Sequence, residues 1–587
     1  IYRPTSTTRR TSWASATINL SDANPANIAG VFTPFGLQST ARDNAAANQN
    51  IPTAFLLGIT NLFDESGSSS GEQALIQTQQ ALHGTSVLHA NDSEPVRIYS
   101  GLGDISGLTL YSSKAARIVA GGDISDIAFY IQNTKSTDVS IVSSGGDIRP
   151  WNDKSLLRVA ATRLPGNALN NAQTTLPGDI QISGPGALAL LAGGNLDFGT
   201  GASDPNGDGL GIGLTSIGNA RNPNLPFAGA DLIVGAGIGP VFSLANLVPD
   251  AGTFLESVLS GDNASTYLAE LAASNTELAS FLNTSGLSTL SADLRAKLAL
   301  ELFFLVLRDA GRAYSDPADP SYQQSDAYVP GFEAIGSLFG SLSASGDITT
   351  RSRDIRTKSG GDISMLVPGG GLTLTTTTVG TSLTPPGIVT EAGGNISIFA
   401  NNDVDIGISR IFTLRGGNEI IWSSTGDIAA GASSKTVQSA PPTRVLIDPQ
   451  SAALNVDLAG IATGGGIGVL ATVEGVPPGS VDLIAPVGAV DAGDAGIRAT
   501  GNLNIAAVQV LNADNISVGG TRAGVPTAPV VAAPNIGGLT SGSSSSGAAA
   551  SAAESVANQA QSGQNTQPDL PSVITVEVLG YGGDDEG

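Results

Sequence analysis

The sequence predicts a mainly β chain: a solenoid of parallel strands with a helical insertion and a C-terminal linker plus strand. Three observations carry this. Short apolar runs alternate with a period of two, each opened by Gly-Asp, Gly-Asn or Asn-Asp. Two corner types recur at one spacing, and the composition suits tight corners. Within 393–431, Asn395-Ile396-Ser397-Ile398-Phe399 alternates like a strand with one buried face. Asn395 to Asn418 is 23 residues and Asp403 to Asp427 is 24. A coil that passes the same places on each turn gives this pattern. Glycine reaches positive φ freely, and Asn or Asp tolerates the left-handed region, so each pair turns the chain through a corner. One coil cannot bury its apolar face alone; its neighbours supply the core.

The composition narrows the function classes. The chain has 587 residues, 75 of them Gly, and only 13% are charged. That suits stacked small side chains better than long helices. Length alone would allow several domains, but a solenoid grows in one dimension and escapes the usual ceiling. Cysteine is absent, which excludes disulfides and thiolate metal sites. A net charge of −24 argues against nucleic acid and anionic membrane surfaces as partners. The most apolar run, 298–307, contains Glu301 and is too short to span a bilayer. The opening IYRPTSTTRR has no signal-peptide apolar region, so the chain is either cytosolic or a mature or internal piece of a longer secreted precursor; the resemblance given below favours the second.

In chain order, residues 1–95 are mixed, with an apolar run at 54–59 and a short helical pattern at 71–82. The first β-helical part covers 96–240, with corners at Gly103-Asp104-Ile105, Gly122-Asp123-Ile124, Gly146-Asp147-Ile148, Gly178-Asp179-Ile180 and Gly194-Asn195-Leu196. Their unequal spacing implies coils with loops. A helical insertion occupies 241–345, with helices expected over 253–259, 265–282 and 291–312; the last has a broad apolar face, as in a helix buried on a neighbour. The second β-helical part runs 346–520, from Gly346-Asp347-Ile348 to Asp514-Asn515-Ile516. A Pro/Ala/Ser/Gly-rich linker follows at 521–570. A strand tail closes the chain at 571–587, with Val573, Ile574, Val576 and Val578 as its apolar residues.

The segments 479–520, 216–234, 360–374 and 409–431 resemble the C-terminal region of filamentous-haemagglutinin-like exoproteins, and PSVITVEVLGYGG resembles that family's ending. The resemblance spans roughly 90–520. It implies a right-handed parallel β-helix exported by two-partner secretion, with an outer-membrane transporter as partner and surface display for adhesion. The family's secretion domain is not visible; Asn222-Pro223-Asn224-Leu225 repeats one of its motifs mid-chain, as a coincidence.

No catalytic or cofactor-binding residue is expected. Asp104, Asp123 and Asp147 could mimic the carboxylates of β-helical glycan-cleaving enzymes, but each follows a corner glycine where its side chain serves the backbone. His83 and His89 lack His or Cys partners. Asp204, Asn206 and Asp208 match the first half of a calcium loop, but Thr215 stands where the bidentate Glu belongs. Calcium there is the single cofactor expectation, against a plain turn. Tyr111, Tyr130, Trp151 and Trp422 read as stacked core rings rather than a binding surface. The expected function is that of a secreted, non-enzymatic exoprotein in adhesion or surface structure, its receptor or glycan unidentified. The alternatives are a filament subunit joined through its C-terminal strand and a glycan-cleaving enzyme. Three isoleucine-led tests follow from the register: Ile105, Ile124, Ile148, Ile348, Ile363, Ile396 and Ile428 should point inward, about ten coils should stack, and Leu298, Phe303 and Leu305 should pack on them.

Overall fold

The computed structural model describes residues 16–20, 85–87, 91–155, 178–200, 212–219, 222, 224–274, 290–340, 345–351, 353–375, 386–431, 444–447, 454–457, 464–471 and 475–526. The chain divides into two units, 1–526 and 527–587. The second lies outside the described residues, as do the expected strand tail with Val573, Ile574, Val576 and Val578, the patterns at 54–59 and 71–82, His83, His89, and Asp204, Asn206 and Asp208.

Among the described residues, 28 strands pair in one parallel sheet wound into a β-helix. Each complete turn has three faces. The first face carries very short strands whose inward residues form one unbroken aliphatic column. Ile105 pairs with Ile124, Ile124 with Ile148, then Leu196, Ile348, Leu372, Val404, Ile428 and Val490 follow in register. All seven isoleucines expected inward are fully buried. The second face begins with Ala16–Leu20, which pairs in parallel with Leu108–Ser112. The mixed N-terminal segment thus contributes a strand that its weak pattern did not announce.

The third face fixes the length of the stack. Its strands start at Val96, Ala116, Val139, Ala187, Asp231, Ile363, Ile396, Glu419, Val481, Leu503 and Arg522. Ten steps of about 4.8 Å between them make a stack roughly 48 Å long.

The corners are held by side chains as well as by glycine. Asp104 Oδ1 accepts the backbone N–H of Asp123, Asp123 Oδ1 that of Asp147, and Asp147 Oδ1 that of Asn195. Asn195, Asp347, Asp403 and Asp427 continue the same pattern. A second corner repeats it from Asp231 to Asp362, Asn395, Asn418 and Ser480. The 23- and 24-residue spacings of the sequence are therefore hydrogen-bonded contacts between successive coils. The carboxylates expected to serve the backbone do so.

Between the third face of one coil, ending at Ala236, and the first face of the next, starting at Ile348, the chain leaves the stack and forms helices. These are α1 (Leu244–Leu247), α2 (Ala251–Leu259), α3 (Ala264–Ser274), α4 (Ala292–Ser315) and α5 (Val329–Phe339). The Ser291 hydroxyl caps α4 by accepting from Leu294 N–H. The expected third helix runs three residues further than its pattern suggested, to Ser315.

Candidate functional site

The helices pack on the outward side of the third face. Outward residues of a solenoid normally face water, yet here Leu366, Phe399, Trp422, Ile484 and Ala506 form a buried apolar column in register. Phe303 of α4 lies edge-on to Phe399 at 5.5 Å and to Phe339 of α5 at 5.3 Å. Two helical glycines permit the approach. A Cβ on Gly311 would sit 2.3 Å from Ile484 Cγ1, and one on Gly331 2.6 Å from Trp422 Cη2. Leu298 and Phe303 are buried as expected; Leu305 is only half-buried, because it turns toward the cleft described below. Tyr111, Tyr130 and Trp422 are buried and Trp151 is half-buried, with the two tyrosines stacked at 5.0 Å.

Helix α4 is a strut laid along the stack. Its 24 residues rise about 36 Å. One outward column runs Arg117, Ile141, Ala189, Ile233, Ser364, Ser397, Ile420, Asp482, Asn504. Its eight steps of about 4.8 Å cover roughly 38 Å, nearly the length of the helix. Polar pairs pin both ends. Arg117 donates to Asp293 at 2.9 Å at the start, and Arg312 to Asp482 at 2.8 Å near the end, where Ser315 also bonds Asn504.

Along one flank of α4 the packing opens into a cleft of about 730 Å³. Its floor is the Asp362–Asn395–Asn418 corner with Ser364 and Ser397; its wall is Glu270 of α3 and Lys297, Glu301 and Arg308 of α4. Lys297 Nζ lies 2.7 Å from Asp231 and 2.8 Å from Glu301. Burial pulls the lysine down, but these two carboxylates more than offset it and hold its pKa well above the usual range. Arg308 reaches Glu270 at 2.5 Å and Asp309 at 2.8 Å. Asp362 is pushed up to about 7, first by burial and then by the neighbouring Asp231 charge, against the Asn395 N–H that it accepts. Sequence reasoning missed this cleft because its two sides are brought together only by the insertion. The broad apolar face of α4 was the one signal for it.

Among the described residues no set of three His, Asp, Glu or Cys side chains gathers to hold a metal, and no helix is long and apolar enough to cross a membrane.

The fold and its strut define a β-helical unit whose helices are appended to one face. Residues 416–527 match the family described as Filamentous haemagglutinin family outer membrane protein. The resemblance seen in the sequence holds for this C-terminal region, which includes the strands that receive the last turns of α4. No curated protein and no solved structure matches the chain. The match supports a secreted surface exoprotein of the haemagglutinin type.

Proposed function

We propose that the protein is a non-enzymatic surface exoprotein that acts in adhesion or surface structure, exported by a two-partner-secretion transporter. The family match to the coils at 416–527 carries this reading. The architecture agrees with it: the corner carboxylates that might have served catalysis are committed to backbone N–H groups of the next coil. The test is retention under flow of beads coated with the purified chain, on host-cell and abiotic surfaces. Retention well above that of uncoated beads supports adhesion; retention no greater than theirs on every surface overturns it and leaves surface structure.

A second reading has one observation in its favour. The cleft sets Asp231, Asp362 and Glu301 beside Lys297 and Arg308, as a glycan-cleaving site would require. Against it, Asp231 accepts from the Asp362 N–H with one oxygen and pairs with Lys297 through the other. Release of reducing ends from soluble glycans decides between the two.

A further inference from the structure

We propose that the cleft beside α4 binds an extended, uncharged oligosaccharide lying parallel to the stack axis. This deepens the adhesive reading by naming a ligand class, and it rests on that reading for its biological setting only.

The cleft has the size of a ligand site, its 730 Å³ falling within the roughly 300–1,000 Å³ usual for such pockets. Its floor is periodic. Ser364 and Ser397 occupy the same register position in consecutive coils, and Asn395 and Asn418 do the same at the corner. Like groups therefore recur every 4.8 Å or so, so a chain ligand lying along the axis meets a hydroxyl and an amide at each coil. Among the described residues neither the Ser364 nor the Ser397 hydroxyl has a hydrogen-bond partner, and both residues line the cleft, Ser397 at 9% exposure.

The walls favour a neutral ligand. Lys297 is held by Asp231 and Glu301, and Arg308 by Glu270 and Asp309. These pairs offer hydrogen-bonding edges, and with two carboxylates to each cation the wall is net negative and repels an acidic ligand. Leu305, half-buried beside the buried Phe304 and Ile420, supplies apolar surface for the C–H faces of sugar rings. An acidic glycan would also meet the chain's net charge of −24. An extended peptide fits less well. It rises about 3.3 Å per residue, out of step with the floor, and the coils beneath the cleft pair on both sides, leaving no open strand edge for it.

Saturation-transfer NMR on the full chain tests this with cellotetraose, tetra-N-acetylchitotetraose and, as acidic control, tetragalacturonate. At least one neutral tetrasaccharide should receive transfer, more strongly than its disaccharide, and the acidic one should not. Ser364→Ala with Ser397→Ala should weaken binding about tenfold, the worth of two hydrogen bonds of ordinary strength. Ser397→Leu, which fills the floor, should abolish it. The double alanine variant guards against misfolding of the leucine one. The proposal is overturned if neither neutral tetrasaccharide receives transfer, or if both variants bind as the parent does. Adhering beads without tetrasaccharide binding would sink this inference and leave the adhesive reading standing. Binding lost in the variants, with beads that never adhere, would do the reverse.

Discussion

Arg312 donates two hydrogen bonds of 2.8 Å to the carboxylate of Asp482, which is 1% exposed. The pair joins the strut to a coil inside the family-matched region. Removing the arginine leaves a buried carboxylate without its cation. For the partly exposed Arg312, Arg312→Leu should cost about 2 kcal/mol, less than the 3–5 typical of fully buried pairs. Replacing both residues by leucine should recover much of it. Hydrogen exchange in the last turns of α4 reads this directly, and unchanged protection in the single variant would refute the pinning role.

Glu419 interrupts an aliphatic column. It stands between Ile396 and Val481 in register, fully buried, with neither carboxyl oxygen hydrogen-bonded. Burial pushes its pKa well above 4.5; the Thr413 backbone N–H, not placed for a hydrogen bond, offsets only part of this. The folded state therefore keeps a proton that the unfolded chain gives up. Its contribution to stability is complete below about pH 4.5 and is lost as pH rises toward the folded value. Glu419→Gln should be more stable than the parent at pH 7.5, by on the order of 1 kcal/mol, with the gap closing toward pH 4.5. Parallel melting profiles across that range would contradict this.

Gly394 has φ of +102°, and a Cβ there would lie 2.2 Å from the Gly361 carbonyl oxygen of the preceding coil. Gly394→Ala should therefore lower the melting temperature or abolish soluble expression. Gly336, in α5, has nothing within 4 Å of its Cβ position. Gly336→Ala should stabilise the helix by about 0.5–1 kcal/mol. Equal effects of the two substitutions would mean that the corner is not under this constraint.

Leu298 is 2% exposed on the buried side of α4. Leu298→Asp places an unpaired charge in an apolar contact and should release the strut. Phe303→Ala, which removes the ring between Phe339 and Phe399, should cost about 3–5 kcal/mol. Circular dichroism would show the loss as an early helical melting step ahead of the β-helix. A single unchanged transition in Leu298→Asp would disprove the packing.

The coil itself was legible in the sequence because its rules are local. A Gly-Asp corner, a β-branched residue behind it and a period of two place Ile105, Ile124 and Ile428 in the core without reference to distant residues. The hydrogen bond from Asn418 N–H to Asn395 was visible as a spacing of 23. The helical character of 291–312 was equally plain from its apolar period. The tertiary structure alone decided where that helix lies. Arg117 and Asp482 belong to coils separated by the insertion, and no local pattern relates either to Asp293 or Arg312. Only when the stack is built do eight coil steps match one helix of 24 residues, and only then do outward Phe399 and Trp422 become core. The same assembly encloses the cleft and raises Asp362, because burial and the approach of Asp231 are properties of the folded surface, not of the residues in order.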